Sequence, residues 1–343
     1  MGQLFVVEVD SGEVSDLLAL AGEPLAQRPE IAAGAHPFDR TDMHDALTAR
    51  ADRVPKRIRD AIATFSAGQA GAFLLLRGIL PGGVALGPTP AHWIDKVADP
   101  GTQTIEAAQF VLAGLLGKPF GIATCQAGHM VQEVAPISGY ETALFGNSSE
   151  VDLFWHTEDA FLDAPARYLH LCCIRNQERV ATRLSAPALD ELPVDVLATL
   201  GEARFELLPD ISHMIVPRDT DTASDQERMA QANLRPQLSP LVSGAPGHRK
   251  LLYDKPYLGD LGHDPEAAAA FAILEAAIDD AAFEHIMCPG DFLFIDNHRA
   301  AHARGRFKAR YDGTDRWLKR IYIAEPDFVP RVLPELLVRP STM

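Results

Sequence analysis

Apolar residues in the first 120 positions recur mostly at helical spacing. Amphipathic helices are predicted over residues 43–50, 54–65 and 102–116. One continuous apolar run, residues 71–80, lies between them and predicts a buried strand. Residues 1–120 are therefore expected to form a mainly helical flank.

Short apolar runs separated by turn residues dominate residues 121–325. Strands are predicted over 129–137, 151–161, 167–176 and 315–325. Two further runs lie on either side of Pro289-Gly290-Asp291, which predicts a tight turn between paired strands. Many short strands with helices around them favour an α+β fold built on a β-sandwich or barrel.

Residues 209–250 show no strong pattern and are rich in polar residues, proline and glycine. A stretch of this length is unusual inside a compact domain, so it predicts an insertion, either a mobile lid or a variable surface segment. Further on, Asp264-Pro265 predicts the start of an Ala-rich helix, with aspartate as N-cap and proline at the first helical position. No linker divides the chain, and a single domain over residues 1–343 is expected.

Composition excludes several classes of partner. The 343 residues carry a formal net charge of -16, which argues against nucleic acid and against anionic membrane surfaces, because both need clustered Lys and Arg. No run of about 18 apolar residues predicts a membrane span. The start of the sequence lacks signal-peptide features, and the four cysteines have no zinc-site spacing. A reduced, cytoplasmic setting is expected, while the oligomeric state stays open.

The stretch "LFWHTEDAF" places His156 and Glu158 two residues apart among apolar residues. In a strand, such side chains point to the same face and could converge on a metal ion. A third donor would come from a facing strand in "IDNHRAAHARGRF", where His298 and His302 are both candidates. Two histidines and one carboxylate with open coordination positions form the facial triad of non-haem Fe(II) oxygenases.

Two arginines follow in "RYDGTDRWLKR". Arg316 lies fourteen residues after His302, and Arg320 lies four residues further on, so both are expected on one strand face. A guanidinium grips a carboxylate through a planar fork of donors. The pair would therefore suit two anionic groups held near one metal.

HTEDAF, DNHRAAHARGRF and ARYDGTDRWLKR together resemble the clavaminate synthase-like branch of Fe(II)/2-oxoglutarate oxygenases. The resemblance runs from about residue 132 to residue 320 and is strongest to the arginine 3-hydroxylases and asparagine oxygenases, which hydroxylate free amino acids for peptide antibiotics. It implies a double-stranded β-helix (jelly-roll, cupin-like) core over residues 121–325. It also implies Fe(II), 2-oxoglutarate and O2 as cofactor and cosubstrates.

The same resemblance implies roles for individual residues. It implies that His156, Glu158 and His302 are the iron ligands, and so it favours His302 over His298. It makes Arg316, helped by Thr182, the anchor of 2-oxoglutarate. For the amino-acid substrate, it implies a head-group site formed by the side chains of Gln132, Glu158 and Arg320.

The substrate side-chain pocket departs from the family pattern. Arginine hydroxylases of this branch present two acids spaced D-x-D, whereas "LYDKPYL" supplies Asp254 and has Pro256 at the second position. A buried aspartate still favours a cationic side chain, because a buried charge must be paired. Arginine, lysine and ornithine all fit, and hydroxylation is expected at C3.

Three alternatives stay open from sequence. The same machinery could desaturate or cyclise its substrate, or act on an amino acid tethered to a carrier protein. A non-redox, cupin-type metal protein would explain the His/Glu pair but would leave Arg316 and Arg320 without a role.

Overall fold

The computed structural model describes residues 4–32, 37–80, 86–95, 100–122, 125–162, 164–213, 237–327 and 338–339. Among the described residues, five helices lie in the N-terminal third and two more lie later in the chain. They are α1 (Ser11–Gln27), α2 (Pro29–Ala32), α3 (Thr41–Thr48), α4 (Lys56–Ser66), α5 (Pro100–Ala113), α6 (Val194–Leu200) and α7 (Pro265–Asp280).

The larger sheet has eight strands in the order β1-β2-β13-β6-β15-β3-β16, with β4 also paired to β15. Within the described part of this sheet, the β1–β2 pair is parallel and all other pairs are antiparallel. The strands are β1 (Phe5–Glu8), β2 (Phe73–Arg77), β3 (Lys118–Ile122), β4 (Gln132–Val134), β6 (Tyr168–Arg175), β13 (Phe292–Asp296), β15 (Trp317–Ala324) and β16 (Val338–Arg339).

The smaller sheet has four antiparallel strands in the order β12-β7-β14-β5. They are β5 (Leu153–His156), β7 (Thr182–Ser185), β12 (Ala282–His285) and β14 (Ala301–Arg304). Two short pairs complete the strands: β8 (Phe205–Leu207) with β9 (Gln237–Ser239), and β10 (Val242–Ser243) with β11 (Lys250–Leu251).

Three buried apolar clusters hold these layers together. The first joins α1, α3, α4 and α5 to one face of the larger sheet. The second lies between the two sheets, and the third packs the outer face of the smaller sheet against α6 and α7. Alternation along the strands explains this layering, because neighbouring residues of one strand enter different clusters. The molecule is thus a mixed helix and sheet structure in which two sheets face each other.

Helix termini follow the local sequence. Asp10 caps α1, accepting hydrogen bonds from the backbone N–H groups of Gly12 and Glu13. Asp264 caps α7 and accepts from the Ala267 N–H at 3.0 Å, with Pro265 as the first helical residue. The predicted start of the Ala-rich helix is confirmed.

The predicted tight turn at Pro289-Gly290-Asp291 is wrong in one respect. The runs before and after it form β12 and β13, but these strands belong to different sheets. Strand β12 pairs with β7, whereas β13 pairs with β2 and β6. The segment therefore crosses from one sheet to the other. Two apolar strands look alike in sequence whether they pair with each other or with distant partners.

The segment predicted as an insertion, residues 209–250, is described at its two ends. Residues 214–236 lie outside the described part of the chain. The Ile211 N–H donates to the Tyr257 hydroxyl at 3.1 Å, and β9 pairs with β8. Among the helices with described positions, none has the length and apolar character needed to cross a membrane.

Candidate active site

His156 and His302 are directly opposite each other on the adjacent antiparallel strands β5 and β14. Their ring centroids lie 4.1 Å apart. The second histidine was expected on a facing strand, but it lies on the hydrogen-bonded neighbour within the same sheet. His298 lies elsewhere, with its Nδ1 3.1 Å from Arg167 Nη1. The structure therefore brings His302, and not His298, to His156.

Glu158 lies just beyond the end of β5, and two flanking segments hold its backbone region. The Glu158 N–H donates to Asn297 Oδ1 at 2.7 Å, and Asn297 Nδ2 donates back to the Glu158 carbonyl at 3.2 Å. One residue earlier, the Thr157 N–H donates to the Tyr253 carbonyl at 2.6 Å. Sequence analysis missed Asn297, although it stands in the quoted stretch "IDNHRAAHARGRF".

The donor atoms of His156, Glu158 and His302 all lie within 4.8 Å of one another. Glu158 Oε2 is 3.4 Å from His302 Nε2 and 4.0 Å from His156 Nε2, and it has no hydrogen-bond partner among the described residues. His156 Nδ1 is 2.8 Å from the Phe154 carbonyl, which leaves Nε2 turned to the cluster. A buried, unpartnered carboxylate oxygen facing two imidazole nitrogens fits a divalent metal ion.

Charges around the cluster keep its groups in the forms that bind metal. Burial, and next the neighbouring His302, lower the pKa of His156 to about 4. Burial alone would raise the pKa of Glu158, but the positive charge of Arg320 and contacts with both histidines hold that pKa below its ordinary value. A neutral imidazole and an ionised carboxylate result at neutral pH.

Arg316 is a buried guanidinium without an anionic partner among the described residues. Its Nη2 is 3.5 Å from Thr182 Oγ1, and its Nε has no hydrogen-bond partner there. Burial lowers the pKa of Arg316 to about 10. Arg304 lines the same cavity and binds backbone carbonyls, including that of Ser148 at 2.6 Å. Two buried guanidinium groups facing one cavity fit an anionic ligand.

Arg320 lies in β15 and Arg316 immediately precedes that strand, and both side chains line the cavity that contains the His/Glu cluster. Its Nε donates to Gln132 Oε1 at 2.7 Å and its Nη1 donates to Glu158 Oε1. The Tyr322 hydroxyl also donates to Glu158 Oε1, at 3.1 Å. Glu158 thus has one oxygen held by Arg320 and Tyr322, and the other facing the two histidines.

Asp254 lines the cavity as well and pairs through an isolated bridge with His156. Burial, followed by the nearby carboxylates of Asp210 and Glu158, raises the pKa of Asp254 well above its ordinary value. Asp210 is a second cavity-lining acid that sequence analysis missed, because it lies at the start of the segment without a pattern. Pro256, which replaces the second acid of the D-x-D pair, lines the cavity too.

Comparison with known proteins places the chain in a family. A family model described as taurine catabolism dioxygenase TauD, TfdA family, matches residues 100–322. The chain is 36% identical over 283 residues to an enduracididine beta-hydroxylase of Streptomyces hygroscopicus, covering 80% of this chain and 83% of that protein. It is 33% identical over 325 residues to an L-ornithine/L-arginine 3-hydroxylase of Catenulispora acidiphila, covering 90% and 93%.

A solved structure supports the same conclusion. The non-heme iron oxygenase OrfP in complex with Fe, succinate and (3S)-hydroxy-L-Arg matches with a TM-score of 0.83 and 32% identity, over 93% of this chain and 94% of that chain. OrfP with Fe and alpha-ketoglutaric acid matches with a TM-score of 0.80 and 32% identity, over 95% of each chain. The resemblance inferred from the sequence motifs and its expected cofactors are confirmed. The chain belongs to the TauD/TfdA family and is an oxygenase that depends on Fe(II), 2-oxoglutarate and dioxygen.

Proposed function

We propose that this oxygenase hydroxylates C3 of a free L-amino acid with a basic side chain, of the arginine, lysine or ornithine type, in specialised-metabolite or peptide-antibiotic biosynthesis. The observation that carries the proposal is one cavity lined by the His/Glu cluster, by the guanidinium groups of Arg316 and Arg320, and by the carboxylates of Asp210 and Asp254. The names of the relatives agree, since enduracididine, ornithine and arginine are basic amino acids and the β-carbon is C3.

His156, Glu158 and His302 are assigned as the iron ligands. The unpartnered Glu158 Oε2 and the grouping of two imidazoles and one carboxylate within 4.8 Å support this assignment. Bound iron, with 2-oxoglutarate and dioxygen, supplies the oxidising power needed to break an unactivated C–H bond. The protein's own task is to bind the substrate, to orient that C–H bond and to exclude water.

Arg316 and Thr182 are assigned to the distal carboxylate of 2-oxoglutarate. A carboxylate placed there would satisfy the free Nε–H of Arg316 and would remove the need for an unpaired buried cation. Arg304 adds a second positive charge on the same cavity wall. A dianionic cosubstrate fits this environment better than a neutral one.

Arg320, Gln132 and Glu158 are assigned to the head group of the amino acid. Arg320 and the N–H groups of the Gln132 amide would bind the α-carboxylate, while Glu158 would bind the α-ammonium group. Gln132 Nε2 is buried and has no partner within the described residues, so the amide has hydrogen-bonding capacity left for a ligand. A clamp on a free carboxylate favours a free amino acid over one tethered to a carrier.

Asp254 and Asp210 are assigned to the cationic side chain of the substrate. Burial, and next the nearby carboxylates, raise the pKa of Asp254, and a cation bound beside Asp254 would stabilise its ionised form. Because Pro256 removes the second acid of the usual pair, a contribution from Asp210 replaces it from another wall of the cavity.

The two facing sheets are assigned as the double-stranded β-helix expected from the resemblance. The buried cluster between them, in which Leu184 of the smaller sheet joins Leu171 and Leu293 of the larger sheet, supports that assignment. We also assign the whole chain to one domain, because the helices α1, α3, α4 and α5 share a continuous core with the larger sheet.

A mass-spectrometric assay tests the substrate class. The protein is incubated with Fe(II), ascorbate and 2-oxoglutarate, and with L-arginine, L-ornithine or L-lysine in turn, and both succinate and substrate mass are read. We expect succinate together with a gain of one oxygen atom for at least one of the three. A loss of two hydrogen atoms from the substrate would instead indicate desaturation. Succinate release without a mass change in any of the three amino acids would overturn the proposed substrate class.

Asp254→Asn supplies the matched test of side-chain recognition. The comparison uses L-arginine and its neutral isostere L-citrulline. With the carboxylate removed, kcat/KM for L-arginine should fall at least about tenfold relative to that for L-citrulline, as one charged hydrogen bond is lost. An unchanged ratio would remove Asp254 from the substrate site.

A further inference from the structure

A buried charge network lies on the reverse face of the strand that carries Arg320. Lys319 points away from the cavity, and its Nζ lies 2.8 Å from Glu133 Oε1 and 2.5 Å from Glu106 Oε1. All three side chains are almost fully buried. Burial alone would lower the pKa of Lys319, but the two carboxylates raise it above its ordinary value, so the lysine stays charged.

Glu133 connects this network to the cavity because it lies on β4 beside Gln132. That strand has three residues, and they pair with β15 so that Glu133 is opposite Lys319 and Gln132 is opposite Arg320. Side chains alternate between faces, so the first pair lies behind the sheet, and the second pair lies on the face from which Arg320 lines the cavity. The same register therefore sets both contacts.

Further contacts make Glu133 the most constrained residue of this short strand. Trp317 Nε1 donates to Glu133 Oε2 at 2.5 Å. The Glu133 N–H donates to Gln126 Oε1 at 2.8 Å, and its carbonyl accepts from Gln126 Nε2 at 2.9 Å and from Asn147 Nδ2 at 2.8 Å. A three-residue strand has few ladder hydrogen bonds, and a slip by one residue would move Gln132 to the opposite face.

We propose that Glu133 is a positioning residue, which through Lys319 fixes the register of β4 and so holds Gln132 against Arg320 for recognition of the amino-acid head group. This inference rests on the proposed role of Gln132 in substrate binding. Buried ion pairs contribute little net stability compared with apolar residues, and specifying one arrangement is a role they perform better. Glu133 is thereby expected to act on substrate affinity without touching the substrate.

Glu106 provides a matched control within the same network. It contacts the same lysine nitrogen from α5, and Glu106→Gln removes the same buried negative charge as Glu133→Gln. Neither variant leaves Lys319 without a carboxylate. Only Glu133 belongs to the strand that carries Gln132, so a general loss of stability affects both variants and a loss of register affects one.

The experiment measures steady-state kinetics on the whole enzyme with whichever of L-arginine, L-ornithine and L-lysine has the highest kcat/KM. We expect Glu133→Gln to raise KM for the amino acid about tenfold, which is the order of the effect of losing one charge-assisted hydrogen bond. KM for 2-oxoglutarate should stay within about twofold of its value in the unaltered enzyme. Glu106→Gln should leave both KM values within about twofold. Equal effects of the two variants on KM for the amino acid, or no effect of Glu133→Gln, would overturn the inference.

A double-mutant cycle with Gln132→Ala separates this inference from the proposed function. If Glu133 acts through Gln132, Glu133→Gln has no further effect on KM in the Gln132→Ala background. If Gln132→Ala itself leaves KM unchanged, the proposed role of Gln132 fails instead. Glu133→Asp, which keeps the charge on a shorter side chain, should give a smaller rise in KM and serves if the glutamine variant does not fold.

Discussion

His156 and His302, which are 146 positions apart in the chain, are cross-strand neighbours whose ring centroids lie 4.1 Å apart. Cross-strand pairing places such side chains side by side without any contribution from a loop. The third donor, Glu158, reaches the same point from just beyond the strand end. Two of the three proposed iron ligands are therefore placed by the sheet itself, which is the more rigid way to hold a functional site.

Replacing His302 by glutamine is expected to abolish iron binding and turnover. Removing a residue that only hydrogen-bonds a metal ligand already lowers metal affinity or activity roughly 10–100-fold. Loss of a ligand itself should therefore lower kcat/KM at least about 100-fold. Iron content after dialysis and succinate formation measure the effect. His298→Gln is the control and should retain iron and most activity, since its ring contacts Arg167 outside the cluster. Equal losses in both variants would contradict the assignment of His302.

Replacing Asn297 by alanine should weaken iron binding without affecting 2-oxoglutarate binding. Asn297 holds Glu158 by both its N–H and its carbonyl group, so its loss frees the backbone of a ligand residue. We expect iron affinity to fall about tenfold, at the lower end for outer contacts to metal ligands. Iron titration at saturating 2-oxoglutarate measures it, and an unchanged affinity would show that Asn297 is dispensable.

Replacing Arg316 by methionine should raise KM for 2-oxoglutarate. Loss of a buried guanidinium–carboxylate contact costs about 2 kcal/mol, which corresponds to roughly a 30-fold rise. Arg316→Lys keeps the charge but not the planar fork, so it should recover part of the affinity. Titration of 2-oxoglutarate against succinate release provides the measurement. A rise confined to KM for the amino acid would instead place the substrate carboxylate at Arg316.

His170 makes folding stability depend on pH. It is fully buried, neither ring nitrogen has a partner within the described residues, and burial lowers its pKa from 6.5 to about 3. Below pH 6.5 the unfolded chain binds a proton that the folded chain excludes, so stability falls as pH decreases towards about 3. From pH 8 to pH 5 this histidine alone should remove about 2 kcal/mol from the free energy of unfolding.

Urea unfolding at pH 8 and pH 5 tests this expectation, with His170→Phe as the comparison. The ring of His170 already stacks on Phe294 with centroids 4.0 Å apart, so a phenyl ring is a close substitute in shape. Between pH 8 and pH 5, the free energy of unfolding of the variant should fall by about 2 kcal/mol less than that of the unaltered protein. The same loss in both would show that His170 does not titrate on unfolding.

By itself, the sequence determined the helical flank, the strand-rich remainder, the His156–Glu158 pair, and Arg316 and Arg320 on one face. These features depend on spacing along a short stretch of chain, and they survive although Glu158 lies just beyond β5 and Arg316 just before β15. The choice between His298 and His302 needed either a family motif or the strand pairing of β14 with β5, since a histidine's partner across a sheet is not encoded locally.

Only the tertiary structure decided which distant residues meet. Asn297 on Glu158, Asp210 near Asp254, and Glu133 opposite Lys319 each join segments whose own patterns indicate nothing of the partner. The crossing of the chain between sheets at Gly290 was hidden for the same reason. Apolar periodicity shows that a strand is buried, whereas register and sheet membership come from the packing of the whole chain.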